Sequence, residues 1–149
     1  MKFLVIGDGP YKNKFEKYAF EAGINVEFTG RLPYLDMVSM LKCCDIAVNP
    51  ININASQSII NKHADYAAAG LPVVSTQRCK EYIDLLTKYY AGFSCTNEGP
   101  AEIAQSMKLL VEDENLRVKM GGGSRRMAEE VFDRKCSYRL IADEIMEIR

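Results

Sequence analysis

Short runs of β-branched and aromatic residues alternate along this chain with longer stretches in which apolar residues recur every three or four positions. "FLVIG" at 3–7 reads as a strand, followed by a helical pattern from about Tyr11 to Ala22 that Gly23 stops. "VEFTG" at 26–30 reads as a second strand, with a helix beginning near Pro33. The alternation continues through "IAVNP" (46–50), a helix within "SIINKHADYAAAG", "PVVST" (72–76), a helix around Glu81 to Leu86, and "GFSCT" (92–96). Strands joined by helical crossovers imply a parallel sheet with helices on both faces, so the expected class is α/β and Rossmann-like. Beyond "GFSCT" the pattern is wholly helical. Ile103, Met107, Leu110 and Val111 form one apolar stripe, which Met127, Val131 and "YRLIADEIMEI" continue as a C-terminal tail. The run Gly121 to Gly123 is expected to break or hinge that tail.

Composition narrows the picture. A chain of 149 residues, 48% hydrophobic, can bury one core but hardly two, so a single domain over 1–149 is expected. A net charge of -1 gives no footprint for nucleic acid or an anionic membrane. The apolar runs fall short of the roughly 20 residues a spanning helix requires, and "FLVIG" follows Met1-Lys2 without a cleavage signal, so no transmembrane segment is expected. The five cysteines form neither a CxxC nor a Cys/His ligand spacing, which suits reduced thiols in a cytoplasmic protein. Adjacent Cys43 and Cys44 read as small core residues.

In open α/β sheets ligands bind beyond the carboxyl ends of the strands. Gly7-Asp8-Gly9-Pro10, Gly30-Arg31-Leu32-Pro33, Asn49-Pro50 and Ser75-Thr76 occupy those places. Glycines there let a ligand approach the backbone, and the helix N-termini that follow favour phosphate; tight strand-to-helix turns would need the same glycines. "GDGP" is only G-x-G, and Lys12 stands where a dinucleotide fingerprint has its third glycine. On the helix of "SIINKHADYAAAG", Gln57, Asn61 and Asp65 are spaced i, i+4, i+8, and Ser58, Lys62 and Asp65 i, i+4, i+7. These sets share a polar face, either solvated or ligand-binding, while Ile60, Ala64, Ala67 and Ala68 take the other side. Gly70 and Pro72 end the helix. His63, with no acidic or cysteine partner at metal spacing, reads as a surface or partly packed residue.

"FLVIGDGP", "VEFTGRLPY", "CCDIAVNP", "SIINKHADYAAAGLPVV" and "LLVEDENLRVKMGGGSRRMAEEVFDR" occur in an order that resembles the C-terminal, donor-binding half of GT-B glycosyltransferases, specifically the retaining group called family 4. The resemblance implies binding of a nucleotide-diphosphate sugar and transfer of the sugar to a hydroxyl acceptor, without metal or other cofactor. The family's Glu-x7-Glu pattern places its second acid, which grips the ribose hydroxyls, on Asp65, and its first, which touches the sugar, on Gln57. Asn61, Lys62, Asp65 and Tyr66 resemble the Asn-Lys-x-x-Asp/Glu-Tyr form of this helix. Ser56 and Ser58 are implied near the pyrophosphate with Lys62 as counter-charge, Gly7 and Gly9 along the crevice, and Gly30, Arg31 and Leu32 beside the base. Phe132-Asp133-Arg134 resembles the turn of the terminal helix towards the other half of such enzymes, and on its own reads as a helix boundary.

The resemblance also implies that one further strand and helix, and an N-terminal acceptor domain, are missing. In the order 3-2-1-4-5-6 the missing strand is central, between "FLVIG" and "IAVNP". The expected outcome is closure of that gap or a homodimer through exposed strand edges, in a fragment that is inactive alone. The full enzyme could sit at the cytoplasmic membrane face. A sugar-nucleotide epimerase half would share the architecture but offers only His63 as a catalytic imidazole, and a receiver-like module would need paired acids where Asp8 stands alone. A non-catalytic interaction domain is the remaining alternative.

Overall fold

The computed structural model describes residues 1–52, 59–95 and 99–147. Ser56, Gln57 and Ser58, expected at the donor site, lie outside the described residues. The chain divides into two compact units, Met1–Leu41 and Lys42–Arg149.

The first unit is built from β1 (Phe3–Ile6), α1 (Lys12–Glu21), β2 (Val26–Gly30) and α2 (Tyr34–Leu41). β1 and β2 pair in parallel from Phe3 opposite Val26, with a register shift between Val5 and Ile6. A bond from Gly7 N to Gly30 O, 2.9 Å, extends the contact past the ladder. Both glycines hold positive φ, +135° and +70°, which a side chain would resist. The first helix ends as the sequence indicates: Gly23 adopts φ +62° and its N–H bonds to Phe20 O.

The second unit carries β3 (Ala47–Asn49), α3 (Asn61–Ala68), β4 (Val73–Ser75), α4 (Lys80–Tyr89) and β5 (Gly92–Ser94), then α5 (Pro100–Glu112), α6 (Glu114–Met127), a π-helical stretch (Ala128–Phe132) and α7 (Arg134–Glu147). Its sheet has the order β3-β4-β5, all parallel. The central strand β4 is buried throughout, as its two valines favour, and its last residue, Ser75, is buried with hydrogen-bond partners. Val74 joins Cys95, Leu110 and Met120 in a core lined by Ile46, Phe93, Ile103, Met107 and Leu116. Full burial of a side chain such as Leu110 contributes about 1.5–3 kcal/mol. Val111, expected in the same stripe, instead lies half exposed.

Helix starts follow local chemistry. Pro100 opens α5 behind Gly99, and Asp113 caps α6 by accepting from Leu116 N at 2.9 Å. Asp133 does the same for α7, accepting from Lys135 N at 2.9 Å, so the boundary read at Phe132-Asp133-Arg134 is a helix boundary.

Three expectations need correction. The run Gly121 to Gly123 breaks nothing, because α6 passes through it. A Cβ on Gly121 would lie 2.6 Å from Gly70 O, and one on Gly123 would overlap the Tyr89 carbonyl oxygen, so these glycines let α6 sit on the backbone at the ends of α3 and α4. Cys43, expected in the core, is exposed just after α2, and Cys44 is half-buried. The inward face of α3 is also turned from the one expected. Ala67 is completely buried as expected, but His63 is buried with it and Ala68 is exposed.

Candidate functional site

The carboxyl ends of β3 and β4 are joined by a buried polar cluster. Asn49, the last residue of β3, points its Nδ2 at Ser75 Oγ and at His63 Nε2, 3.4 Å from each. His63 Nε2 also meets Gln77 Oε1 in a short hydrogen bond, and Gln77 N donates to Ser75 Oγ at 3.2 Å. All four side chains are buried. A clasp lies alongside: Ile51 N donates to Thr76 Oγ1 at 2.7 Å, and the same hydroxyl donates to Ile51 O at 2.9 Å. The peptide leaving β3 is thereby tied to the end of β4.

Gln77 Oε1 can only accept, so a neutral His63 that bonds it carries its proton on Nε2. The Asn49 amide nitrogen, itself a donor, then only abuts that atom and gives its hydrogen to Ser75 Oγ, and Nδ1 is left as a bare acceptor. Nδ1 has no hydrogen-bond partner among the described residues, and neither does the hydroxyl of Tyr82 on α4, whose ring stacks on the imidazole. Burial lowers the His63 pKa; the Gln77 hydrogen bond opposes that shift and the nearby Lys62 charge adds to it. Burial likewise raises Tyr82. Tyr66 is raised by burial first and by Asp65 second.

On the turn N-terminal to and around this cluster, α3 presents Asn61 and Lys62 exposed and Asp65 half-buried. These are three of the expected donor-binding residues, and helical spacing keeps them on neighbouring lines of one short helix. In the other unit, Gly7 and Gly9 form the turn after β1, and Arg31 and Leu32 follow β2 at the same end of that sheet. No described side chain or backbone atom would crowd a Cβ at Gly7 or Gly9, and Arg31 is exposed. Lys12, at the start of α1, brings its ammonium to 3.9 Å from where a Gly30 Cβ would stand and 3.7 Å from Glu16. Among the described residues no cluster of His, Cys, Asp and Glu could hold a metal ion. No described helix is long and apolar enough to cross a membrane.

Sequence reasoning placed Asn49, Ser75 and Thr76 at strand ends but missed the cluster that joins them. His63 was read towards the surface and is fully buried. Its i, i+4 relation to Ala67 was the available signal, and Gln77 follows β4 closely enough to meet it.

Comparisons with known proteins agree with this architecture. Anabaena HepE, solved in complex with UDP, superposes with a TM-score of 0.85 at 18% identity, covering 99% of this chain and 41% of its own. WaaG, a glycosyltransferase involved in lipopolysaccharide biosynthesis, gives a TM-score of 0.71 at 21% identity, over 86% of this chain and 34% of its own. In sequence, the chain is 28% identical over 78 residues to a GDP-mannose-dependent monoacylated α-(1-6)-phosphatidylinositol monomannoside mannosyltransferase of Corynebacterium glutamicum. It is 22% identical over 135 residues to an uncharacterized glycosyltransferase of Methanocaldococcus jannaschii. The chain spans 20% and 37% of the lengths of those curated relatives. Residues 1–113 match the group 1 glycosyl transferases, and the chain belongs to that family, with the α/β Rossmann-like build of GT-B glycosyltransferases.

Proposed function

We propose that this chain is the donor-binding portion of a retaining glycosyltransferase, holding a nucleotide-diphosphate sugar whose sugar passes to a hydroxyl acceptor. The observation that carries the reading is the likeness to HepE, a structure holding UDP, over 99% of this chain. On this reading Asp65 accepts hydrogen bonds from the two ribose hydroxyls, for which an ionised carboxylate is the strongest acceptor available. Asn61 and Lys62 lie beside it on α3, with Lys62 as a counter-charge to the diphosphate. Gly7 and Gly9 admit the ligand to the backbone, and Arg31 and Leu32 border the base. The resemblance assigns Ser56 and Ser58 to the pyrophosphate and Gln57 to the sugar, all three outside the described residues.

Chemically, the bond from the sugar's anomeric carbon to the diphosphate oxygen breaks as positive charge develops on the sugar, and a bond to the acceptor oxygen forms. The binding groups must stabilise the departing negative charge, with no metal assigned to the task. The acceptor must be oriented by another part of a longer enzyme, so the isolated chain is expected to bind donor and turn over little. Calorimetric titration with UDP, GDP and their sugars, with and without EDTA, tests the reading. Binding should survive EDTA and fall about tenfold or more in Asp65→Ala. Absence of binding at millimolar nucleotide, or equal binding by the variant, would remove its basis.

A further inference from the structure

The turn of α3 that carries the proposed donor contacts lacks the usual means of fixing its own direction. The helix spans only Asn61–Ala68, and the residue before it, Ile60, has no side-chain oxygen with which to cap the free N–H groups. A helix this short is not stable by itself, so its position comes from tertiary contacts. The tie from its first turn to the strand ends is His63, which bonds Gln77 beyond β4, faces Asn49 at the end of β3, and lies flat on Tyr82.

We propose that His63 is a positioning residue: its neutral imidazole locks the first turn of α3 to the ends of β3 and β4 and so sets where Asn61, Lys62 and Asp65 meet a nucleotide diphosphate. The inference rests on the donor-binding reading and adds a means of regulation to that site. Lys62 precedes His63 by one residue and Asp65 follows it by two, so any roll of the helix that withdraws the imidazole redirects both charges. The lock holds in one protonation state. A second ring proton would sit on Nδ1, which is buried and has no acceptor among the described residues. The cationic ring then gains by leaving the cluster, and the first turn of α3 leaves with it.

The charged and titratable surroundings are consistent with that direction. Lys62, Asp65 and Tyr66 share the helix, Tyr82 approaches from α4, and Arg125, Glu129 and Glu130 belong to the segment from α6 into the π-helical stretch that packs on α3. Arg125 and Glu129 bond each other, and Glu130 accepts from Tyr89, so those groups are engaged away from the imidazole.

The test compares the wild-type chain with His63→Gln, whose amide can still donate towards Gln77 but does not titrate, and with His63→Leu, which cannot donate. UDP and GDP affinities are measured at pH 7.5 and 5.5, alongside hydrogen-exchange protection factors for the amides of α3. From pH 7.5 to 5.5 the wild type should lose about tenfold more affinity than His63→Gln. The nucleotide's own titration is common to both proteins and cancels in that comparison. Protection of the first turn of α3 should fall with pH in the wild type and stay level in His63→Gln, and His63→Leu should bind more weakly than His63→Gln at pH 7.5. Identical pH profiles of protection for wild type and His63→Gln would overturn the proposal, as would wild-type affinity in His63→Leu. Failure of every form to bind nucleotide at pH 7.5 would count against the donor reading, and the exchange measurement would still decide whether His63 holds the helix.

Discussion

The imidazole of His63 lies against the phenol ring of Tyr82, ring centroids 3.5 Å apart and planes inclined by 23°. Each ring carries one polar atom without a hydrogen-bond partner among the described residues, Nδ1 on the first and the hydroxyl on the second. The pair therefore packs well as hydrocarbon and poorly as polar chemistry, which gives two predictions of opposite kind.

The first concerns pH. Burial lowers the His63 pKa below its ordinary value, so between the folded and unfolded pKa values the unfolded chain binds more protons. The associated stability is fully present above an unfolded pKa of about 6.5 and declines as pH falls below it, until the folded pKa is passed. Urea melts from pH 7.5 to 5 should show a falling midpoint in the wild type. His63→Gln should lack the part of that fall that begins near neutrality.

The second concerns Tyr82. A buried hydroxyl without a partner forfeits its hydration, at a cost of about 1–3 kcal/mol. Tyr82→Phe keeps the ring on His63 and removes the orphaned group, so it should leave stability equal or raise it by about 1 kcal/mol. Chemical denaturation measures this directly. A loss of more than that amount would mean that the hydroxyl has a partner in solution.

Adjacent glycines on α6 should respond in opposite senses. Gly122 is exposed and a Cβ there meets nothing described, so Gly122→Ala should stabilise by about 1 kcal/mol through helix propensity. Gly123→Ala would drive a methyl group into the Tyr89 carbonyl, and Gly121→Ala would crowd Gly70. Both should destabilise by several kcal/mol or displace α6. Thermal melts of the three single variants provide the comparison.

The thiols offer a check on burial. Cys43 and Cys136 are exposed, whereas Cys95 is buried in the core and its thiol pKa is raised, chiefly by that burial. A thiolate-specific reagent at pH 8 should label Cys43 and Cys136 promptly and reach Cys95 only as the second unit unfolds. Mass spectrometry of the labelled peptides distinguishes the sites.

Much of the fold was legible because it is written locally. "VEFTG" matches β2 residue for residue, Gly23 stops α1, and Gly70, at positive φ, follows the end of α3. What escaped depends on neighbours distant in sequence. Propensity makes the triple glycine a breaker; only the backbone of Gly70 and Tyr89 against α6 makes it a seat. The period of α3 allows the line through Ala64 and Ala68 to face inward as readily as the line through His63 and Ala67. The choice is made by Gln77 and Tyr82, contributed by the connection after β4 and by α4. α4 itself runs to Tyr89, beyond the span read around Glu81 to Leu86. At the candidate site, the special backbone of Gly7 was foreseeable from residue type. The polar cluster was not, since its members are separated in sequence and two of them, Asn49 and Ser75, look like ordinary strand termini.

The seat of α6 on Gly70 and Tyr89 also acts as a fulcrum. Both α3 and α4 are gripped where they finish, by main-chain contact that leaves no room for a side chain to slide. Their opposite tips lie beside the termini of β3 and β4, where His63 ties the first turn of α3 to Gln77 and Asn49. Release of that tie would tilt α3 about an anchored base and leave the scaffold that presents it intact.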